Sequence, residues 1–184
     1  MLPVLALLAL AGCGSSHTHV TTGTYAGEGG ANAPYLDVGP LAYQVQLSRQ
    51  LSPFDTEDSS YLAGLTAGQS LLTPAQEWLG VFLQVFNKTS IPHPAATALI
   101  ISDTQGNLYT PVVPGATNEF AYRAGIVPAE SRVPVLDSVA ANGATQGALL
   151  LYKIRIESLQ NRPLKITIVD PNNASKRATA TLDV

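Results

Sequence analysis

Apolar and polar residues alternate along several short stretches of the chain, with the period of two that is typical of half-buried β-strands. In residues 41–51, Tyr43, Val45 and Leu47 fall on one face, while the glutamine and serine residues between them fall on the other. Residues 79–87 are mainly apolar on both alternating faces, which predicts a central strand covered on both sides. The dominant pattern is that of a sheet protein rather than a helical one.

Further strands are predicted in the second half of the chain by the same alternation or by short apolar runs. They cover residues 98–102, 108–110, 148–157, 165–169 and 178–184. Gly106 lies in the polar segment between the first two of these runs, which predicts a hairpin. Prolines separate most of the runs and mark where the strands end, because proline donates no ladder hydrogen bond.

One short helix is predicted near the middle of the chain. The segment Thr73-Pro74-Ala75-Gln76 has capping-box spacing with proline at the first helical position, and it leads into residues 77–79. Trp78 is interpreted as a core residue. Many short strands and so little helix indicate that residues 35–184 form a single all-β domain, an antiparallel β-sandwich.

Composition narrows the class of protein further. The net charge of -3 and the low share of charged residues, 12%, give no strongly cationic surface, so a nucleic-acid partner is not expected. The chain has one cysteine, which excludes a disulfide framework and zinc sites built from cysteine clusters.

The first twelve residues are apolar and carry no charge. As a helix they would span roughly 18 Å, well short of the ~30 Å hydrocarbon core of a bilayer. Residues 1–12 are therefore interpreted as an export signal rather than as a spanning helix. No lysine or arginine precedes the apolar run, which departs from the usual signal pattern and would be explained by a start codon upstream of Met1.

The segment Leu10-Ala11-Gly12-Cys13 resembles the lipobox of bacterial lipoproteins. The resemblance implies a diacylglyceryl thioether on Cys13, cleavage after Gly12 and a further acyl chain such as palmitate on the new amino terminus. Two or more chains anchor a protein stably where one does not. We therefore expect the mature chain on the extracytoplasmic face of the cell membrane, attached through the lipid on Cys13.

Residues 13–34 are rich in glycine, serine and threonine and carry no apolar period. They are predicted to be a flexible, lipid-anchored linker. His17 and His19 would lie on one side of an extended chain, as two ligands of a metal ion would. No carboxylate or cysteine accompanies them, and we interpret both as polar residues of the linker.

A second resemblance covers the predicted sandwich. The runs 78–90, 101–109 and 147–154 resemble the strands and turns of small immunoglobulin-like domains on bacterial surface lipoproteins, similar to the DUF4352 group of unknown function. The resemblance implies an immunoglobulin-like sandwich and brings no catalytic motif with it. Cys13 has no partner for the inter-sheet disulfide of antibody domains, so apolar burial alone must stabilise the fold.

The predicted domain lacks the sequence motifs of common catalytic sites. It contains no Gly-x-Ser-x-Gly, Ser-x-x-Lys or His-Glu-x-x-His segment, and its one histidine, His93, lies between two prolines. We therefore expect no enzymatic activity, no cofactor and no metal site.

An acidic segment is the most concentrated polar cluster in the domain. Asp55, Glu57 and Asp58 lie within four residues, flanked by the apolar residues Phe54 and Tyr61. Three carboxylates offer oxygen ligands to calcium, but the spacing lacks the alternation and glycine of a dedicated loop, so a solvated loop is the favoured interpretation. Because long connections are often functional, we expect these five residues to form an interaction loop.

The sequence thus predicts a lipid-anchored binding or adaptor module of the bacterial cell envelope. Its expected partners are the membrane, through Cys13, and an envelope protein or wall polymer. The alternative is a carrier of a small ligand or a metal ion at the cell surface.

Overall fold

A computed structural model describes residues 17–21 and 34–184, with side chains from residue 34 onward. The strands among these residues are β1 His17–Thr21, β2 Leu36–Val38, β3 Leu41–Leu51, β4 Gln76–Asn87, β5 His93–Pro94, β6 Ala98–Ser102, β7 Leu108–Tyr109, β8 Ile126–Val127, β9 Ser131–Val133, β10 Ala148–Arg155, β11 Lys165–Asp170 and β12 Asn173–Thr181. The helices are α1 Thr56–Tyr61, α2 Ala67–Ser70, α3 Val139–Asn142 and a 3-10 turn at Ile156–Leu159.

Two sheets carry almost all of the strands. One sheet has the order β1-β12-β11-β6-β7, and the other has the order β10-β4-β3-β2, with β9 also pairing with β4. Strands β5 and β8 form a separate small ribbon. Every pairing is antiparallel except that of β1, which runs parallel to β12.

The strand order is that of an immunoglobulin-like sandwich, as predicted. In the usual letters, β3, β4 and β10 occupy the positions of strands A, B and E, and β6, β7, β11 and β12 occupy those of C, C′, F and G. A core of buried apolar side chains fills the space between the two sheets. Cys13 and the predicted signal, residues 1–12, lie outside the described residues.

Several predicted strand bounds are confirmed. Strands Leu41–Leu51 and Ala98–Ser102 have the predicted limits, and the predicted hairpin joins β6 to β7 with Gly106 at a φ of 83°. Nearly every side chain of β4 is buried, so its two faces are covered as predicted. Trp78 in this strand is only 2% exposed, which confirms its placement in the core.

The helix predicted at residues 73–79 is wrong. The backbone N–H of Gln76 donates to the carbonyl of Thr73 (2.9 Å) and the Gln76 side chain accepts from the Thr73 N–H (3.1 Å), so the capping contacts form around a turn. No helix follows, because Gln76 already pairs with Arg155 as the first residue of β4. Three short helices form elsewhere, capped by Asp55, Thr66 and Ser138.

Buried tyrosines bond the β10-β4-β3-β2 sheet and the segment around Tyr122 to strand β6 and the residues that enter it. The Tyr43 hydroxyl accepts from the Ala96 N–H (2.8 Å), and the Tyr122 hydroxyl donates to the Ala96 carbonyl (2.8 Å). The Tyr152 hydroxyl donates to the carbonyl of Leu99 (3.1 Å). Burial raises the pKa of Tyr43 to about 12, because the phenolate would lose its hydration there.

A second apolar cluster covers the outer face of the β10-β4-β3-β2 sheet. Its members come from the sheet and from the α1 region, and they are Leu51, Tyr61, Trp78, Phe82, Leu149 and Leu151. Helix α1 and the segment around Phe120 therefore form a third layer on the sandwich. This layer explains why β4 is apolar on both faces.

The sandwich has two ends that the later argument uses. The Pro40 end holds the turn between β2 and β3, residues 88–91 after β4, and the turn between β11 and β12. The Phe54 end holds the ends of β3 and β10 and helix α1. Strand β1 begins beside Arg177, at the Pro40 end, so these five residues of the predicted linker form a strand of the domain.

Candidate functional site

The predicted interaction loop is a capped helix. The Asp55 carboxylate accepts from the N–H groups of Glu57 (2.8 Å) and Asp58 (3.2 Å), which begins helix α1. An aspartate at this position satisfies backbone donors that the helix leaves unpaired. Asp55 therefore has a structural role.

Asp58 points into the protein instead of toward solvent. Its Oδ1 atom lies 2.5 Å from Nη2 of Arg49, and its Oδ2 atom accepts from the Ser52 N–H at 2.8 Å. Glu57 is more exposed and lies 3.6 Å from the same guanidinium. The described residues contain no group of three histidine, cysteine, aspartate or glutamate side chains placed to hold a metal ion.

The two aromatic residues of the predicted loop have opposite environments. Tyr61 is buried, with its ring centroid 5.1 Å from that of Phe82 and 4.8 Å from that of Phe120, whereas Phe54 is 96% exposed. Asp58 and Tyr61 are therefore corrected from contact residues to interior residues, because burial keeps them from a partner. Phe54, Asp55 and Glu57 remain at the surface.

A groove of about 410 Å³ opens where β9 pairs with β4, close to the Pro40 end. We call it the Arg132 groove. It is lined by Phe86, Asn87, Lys88, Glu130, Ser131, Arg132, Val135 and Leu136. Its volume falls within the range of sites that bind small molecules.

Asn87, the last residue of β4, holds the groove's rim together. Its side-chain N–H₂ group donates to the carbonyls of Ile91 (2.8 Å) and Pro128 (2.8 Å), and its Oδ1 accepts from the Thr89 hydroxyl (2.8 Å). The Glu130 N–H then donates to the Thr89 carbonyl at 3.0 Å. The Asn87-Lys88-Thr89 segment thus forms a side-chain-capped turn that places Lys88 at the rim.

The groove has an aromatic wall next to a cation. The rings of Tyr35 and Phe86 meet edge to face, with centroids 5.4 Å apart. Lys88 Nζ lies 4.7 Å from the centroid of the Tyr35 ring, a cation–π contact. Val135 and Leu136, which also line the groove, are 60% and 63% exposed, so their apolar surface is open to a ligand.

Arg132 supplies the polar feature of the groove. Its Nε atom is buried and has no hydrogen-bond partner, and the ion pairs within the described part of the chain join Arg49 to acids, not Arg132. Glu130, the acid of the groove, is likewise outside these ion pairs. A buried donor without an acceptor costs free energy, and a guanidinium favours carboxylate or phosphate oxygens. The groove can therefore receive an anion.

A second groove, of about 310 Å³, has no such feature. It lies beside Val112 and Leu149, and its cation is Arg123. The Arg123 guanidinium donates to the carbonyls of Pro114 (3.3 Å) and Gly115 (2.6 Å), so it serves to hold the surrounding loop. We therefore take the Arg132 groove as the candidate site.

Another buried polar cluster surrounds Asp103 at the Phe54 end. Its carboxylate accepts from Asn107 (2.6 Å), Ser158 (2.8 Å) and Asn161 (3.3 Å), which ties the β6–β7 hairpin to the 3-10 turn. Burial alone would raise the pKa of Asp103, but these hydrogen bonds outweigh it and hold the pKa well below its ordinary value. The Asp103 carboxylate already has its hydrogen-bond donors within the domain, which indicates a structural role.

Sequence reasoning missed the groove. Strand β9 has only three residues, and its partner β4 lies more than forty residues earlier in the chain. The available signal was the apolar pair Val135 and Leu136, which follows Arg132, Val133 and a proline in the sequence. His17 and His19, considered as metal ligands, lie in β1.

None of the helices in the described ranges is long and apolar enough to span a bilayer. No protein-family model matches the chain. No curated protein matches it either.

Solved structures resemble the chain in fold. A functionally unknown protein of Listeria monocytogenes has a TM-score of 0.54 at 8% identity, covering 83% of this chain and 82% of that one. The yjhA protein of Bacillus subtilis has a TM-score of 0.52 at 11% identity, covering 82% and 97%. At these identities the likeness establishes the sandwich fold alone.

A third structure, ycdA of Bacillus subtilis, is a candidate lipoprotein. It has a TM-score of 0.47 at 10% identity, and the match covers 82% of this chain but 38% of ycdA. The likeness is too weak to carry a lipid anchor over to this chain.

Proposed function

We propose that the protein is a lipid-anchored binding module of the bacterial cell envelope, without catalytic activity, whose ligand site is the Arg132 groove. The observation that carries the proposal is the buried Nε atom of Arg132, which has no hydrogen-bond acceptor in a groove that also presents aromatic and aliphatic side chains. The lipobox-like segment ending at Cys13 supports the anchor.

The lining residues define the chemistry of the ligand. Arg132 and Lys88 suit an anionic group, while Phe86, Val135 and Leu136 suit an apolar portion attached to it. Glu130 disfavours an anion that spreads along the whole rim. We propose an amphipathic ligand with one carboxylate or phosphate group.

The opposite end of the molecule is proposed as the adaptor surface. Phe54 projects almost fully into solvent, flanked by the exposed acids Asp55 and Glu57. An exposed aromatic side chain is an effective anchor for a protein partner or a sugar polymer. An envelope protein or wall polymer remains the proposed partner of this surface.

Photo-crosslinking in intact cells tests the groove. A photoreactive amino acid replaces Leu136, or replaces Ile156 at the Phe54 end as the matched control, since both side chains are exposed aliphatics. We expect one recurring adduct from position 136, at least tenfold weaker when Arg132→Gln is added, and no such adduct from position 156. Equal adducts from both positions, or no effect of Arg132→Gln, would contradict the proposed site.

Metabolic labelling with a clickable fatty acid tests the anchor. The wild-type chain is expected to take up the label, and Cys13→Ser is expected to lose it and to leave the membrane fraction. An unlabelled wild-type chain would refute the lipid anchor and with it the localisation.

A small-ligand carrier is the second candidate, favoured by the volume of the groove, about 410 Å³. Native mass spectrometry of the protein released gently from cells separates the two functions. A stoichiometric small molecule that stays bound after release from the membrane and disappears in Arg132→Gln supports the carrier, whereas a groove that is empty after release but crosslinks in intact cells supports the binding module.

A further inference from the structure

The pairing of β1 fixes where the chain enters the sandwich. Strand β1 runs parallel to β12, with His17 opposite Arg177 and Thr21 opposite Thr181. Arg177 also pairs with Val169, close to the β11–β12 turn. The chain therefore joins the domain at the Pro40 end and runs from there toward the Phe54 end.

Few residues separate this entry point from the proposed lipid. Three residues lie between Cys13 and His17. Four steps of fully extended chain span at most about 14 Å. With β1 in place, the lipid on Cys13 would hold the Pro40 end within this distance of the bilayer surface.

The surface at the Pro40 end has the composition of a membrane interface. It exposes the cations Lys88, Lys176 and Arg177 together with the apolar side chain of Ile91. Tyr35, 49% exposed, lies under Lys88 at the same place. Tyrosine, lysine, arginine and aliphatic residues are the types that favour the headgroup region of a bilayer.

Acidic residues at this end balance the cations. Asp37, Glu130 and Asp137 are exposed, and Asp170 is buried and accepts from the Asn172 N–H at 2.8 Å. The excess of cations is confined to the lining of the groove, where Lys88 and Arg132 accompany a single acid, Glu130. An anionic headgroup complements such a groove better than a neutral one.

We infer that the Pro40 end faces the membrane and that the Arg132 groove receives the headgroup of an anionic phospholipid. The phosphate would accept from Arg132 and Lys88, and the upper part of the acyl chains would contact Val135 and Leu136. This inference rests on the proposed function, because it names the ligand of the same groove and uses the lipid on Cys13.

The orientation also places the adaptor surface. Strand β3 has 11 residues, and at about 3.3 Å per residue it separates the two ends of the sandwich by about 35 Å. Phe54 would then stand well above the headgroups, where a partner in the envelope can reach it.

Spin labels on the full-length lipidated protein test the orientation. Cys13 is the sole native cysteine and its sulfur is held in the diacylglyceryl thioether in this form, so Leu136→Cys and Phe54→Cys each provide one labelling position. The protein is reconstituted into vesicles of phosphatidylcholine alone or mixed with phosphatidylglycerol. Accessibility of each nitroxide to a water-soluble nickel chelate and to oxygen is then measured.

We expect the label at position 136 to be shielded from the nickel chelate in vesicles containing phosphatidylglycerol, and the label at position 54 to stay accessible. Lys88→Gln and Arg132→Gln should each lower the equilibrium constant for docking about fivefold. The controls Lys165→Gln and Arg162→Gln, at the Phe54 end, should leave it unchanged. High salt should weaken docking of the wild-type protein.

Equal accessibility at positions 136 and 54 would overturn the orientation. Shielding at position 136 that is the same in pure phosphatidylcholine and is insensitive to Arg132→Gln would overturn the headgroup assignment. Both results leave the proposed function standing if position 136 still crosslinks to an envelope component in cells. Failure of the fatty-acid label at Cys13 would instead remove the proposed function itself.

Discussion

The guanidinium of Arg49 and the carboxylate of Asp58 form an ion pair in which the acid is almost completely buried. The same guanidinium lies 5.6 Å from the centroid of the Tyr61 ring, and the other oxygen of Asp58 accepts from the Ser52 N–H. Strand β3 is thereby joined to helix α1 by polar contacts on one side and aromatic contacts on the other. The acidic segment resembles a ligand site in the sequence. In the structure, it attaches helix α1, part of the third layer, to strand β3.

Asp58→Ala should therefore destabilise the domain by about 3 kcal/mol, because it leaves Arg49 without its buried partner. Urea denaturation followed by the fluorescence of Trp78 measures the effect. The matched control is Glu57→Ala, whose longer and more exposed contact with Arg49 should contribute less than about 1 kcal/mol. Equal losses for both variants would show that the pair does not fasten α1.

Substitutions of the two aromatic residues in the same segment should affect stability and partner binding separately. Tyr61→Ala removes the ring packed on Phe82 and Phe120 and should cost about 3–5 kcal/mol of unfolding free energy. Phe54→Ala should change stability by less than about 0.5 kcal/mol, since Phe54 is exposed. Partner capture from cells should fall for Phe54→Ala although its denaturation curve matches that of wild type; unchanged capture would argue against the adaptor surface.

Asp103 should make the free energy of unfolding depend on pH in acidic solution. Its pKa is lower in the folded state than its ordinary value of 3.8, so its contribution is complete above that value and is lost as the pH falls below it. Asp103→Asn should cost about 2 kcal/mol at neutral pH and should flatten this acid-side loss. Urea denaturation from neutral pH to about pH 3 checks the result, with Asp137→Asn, an exposed carboxylate, as the control.

Two glycines with positive φ should differ in their tolerance of a methyl group. An added Cβ at Gly147 (φ 120°) would lie 2.8 Å from the backbone nitrogen of Leu83, whereas at Gly106 (φ 83°) it would meet open space. Gly106→Ala should cost about 1 kcal/mol from backbone strain alone. Gly147→Ala should cost clearly more, because β4 must shift; equal midpoints in thermal unfolding would contradict this geometry.

The local strands were predictable because their side chains alternate in the sequence. Strand β3 has the predicted limits, but the prediction that Leu47 shares a face with Tyr43 and Val45 is wrong. A bulge at Gln46 places Leu47 in the outer apolar cluster, whereas Tyr43 and Val45 lie in the core between the sheets. Gly106 marks the β6–β7 turn through its positive φ. The helix at residues 73–79 failed for the opposite reason. Its capping contacts are local, but the pairing of Gln76 with Arg155 is not, and the sheet determined the outcome.

The sequence pattern could not predict that Asp58 and Tyr61 are buried, for a related reason. The sequence correctly shows that the acids lie close together. It does not show that Arg49, on strand β3, contacts Asp58 after folding. The Arg132 groove depends on the pairing of Arg132 with Phe86, two residues far apart in the chain. The local alternation of apolar and polar residues does not indicate such a contact.

Strand β1 also shortens an edge, because it covers residues 177–181 of β12 and leaves only its own five residues along that part of the side of the sheet. Without it, β12 would present a row of unpaired N–H and C=O groups along the side of the sheet, a template for pairing with another strand. Copies confined to one membrane meet far more often than copies in solution. If Cys13 carries the proposed lipid, the short strand β1 would therefore limit the edge on which crowded neighbours could pair.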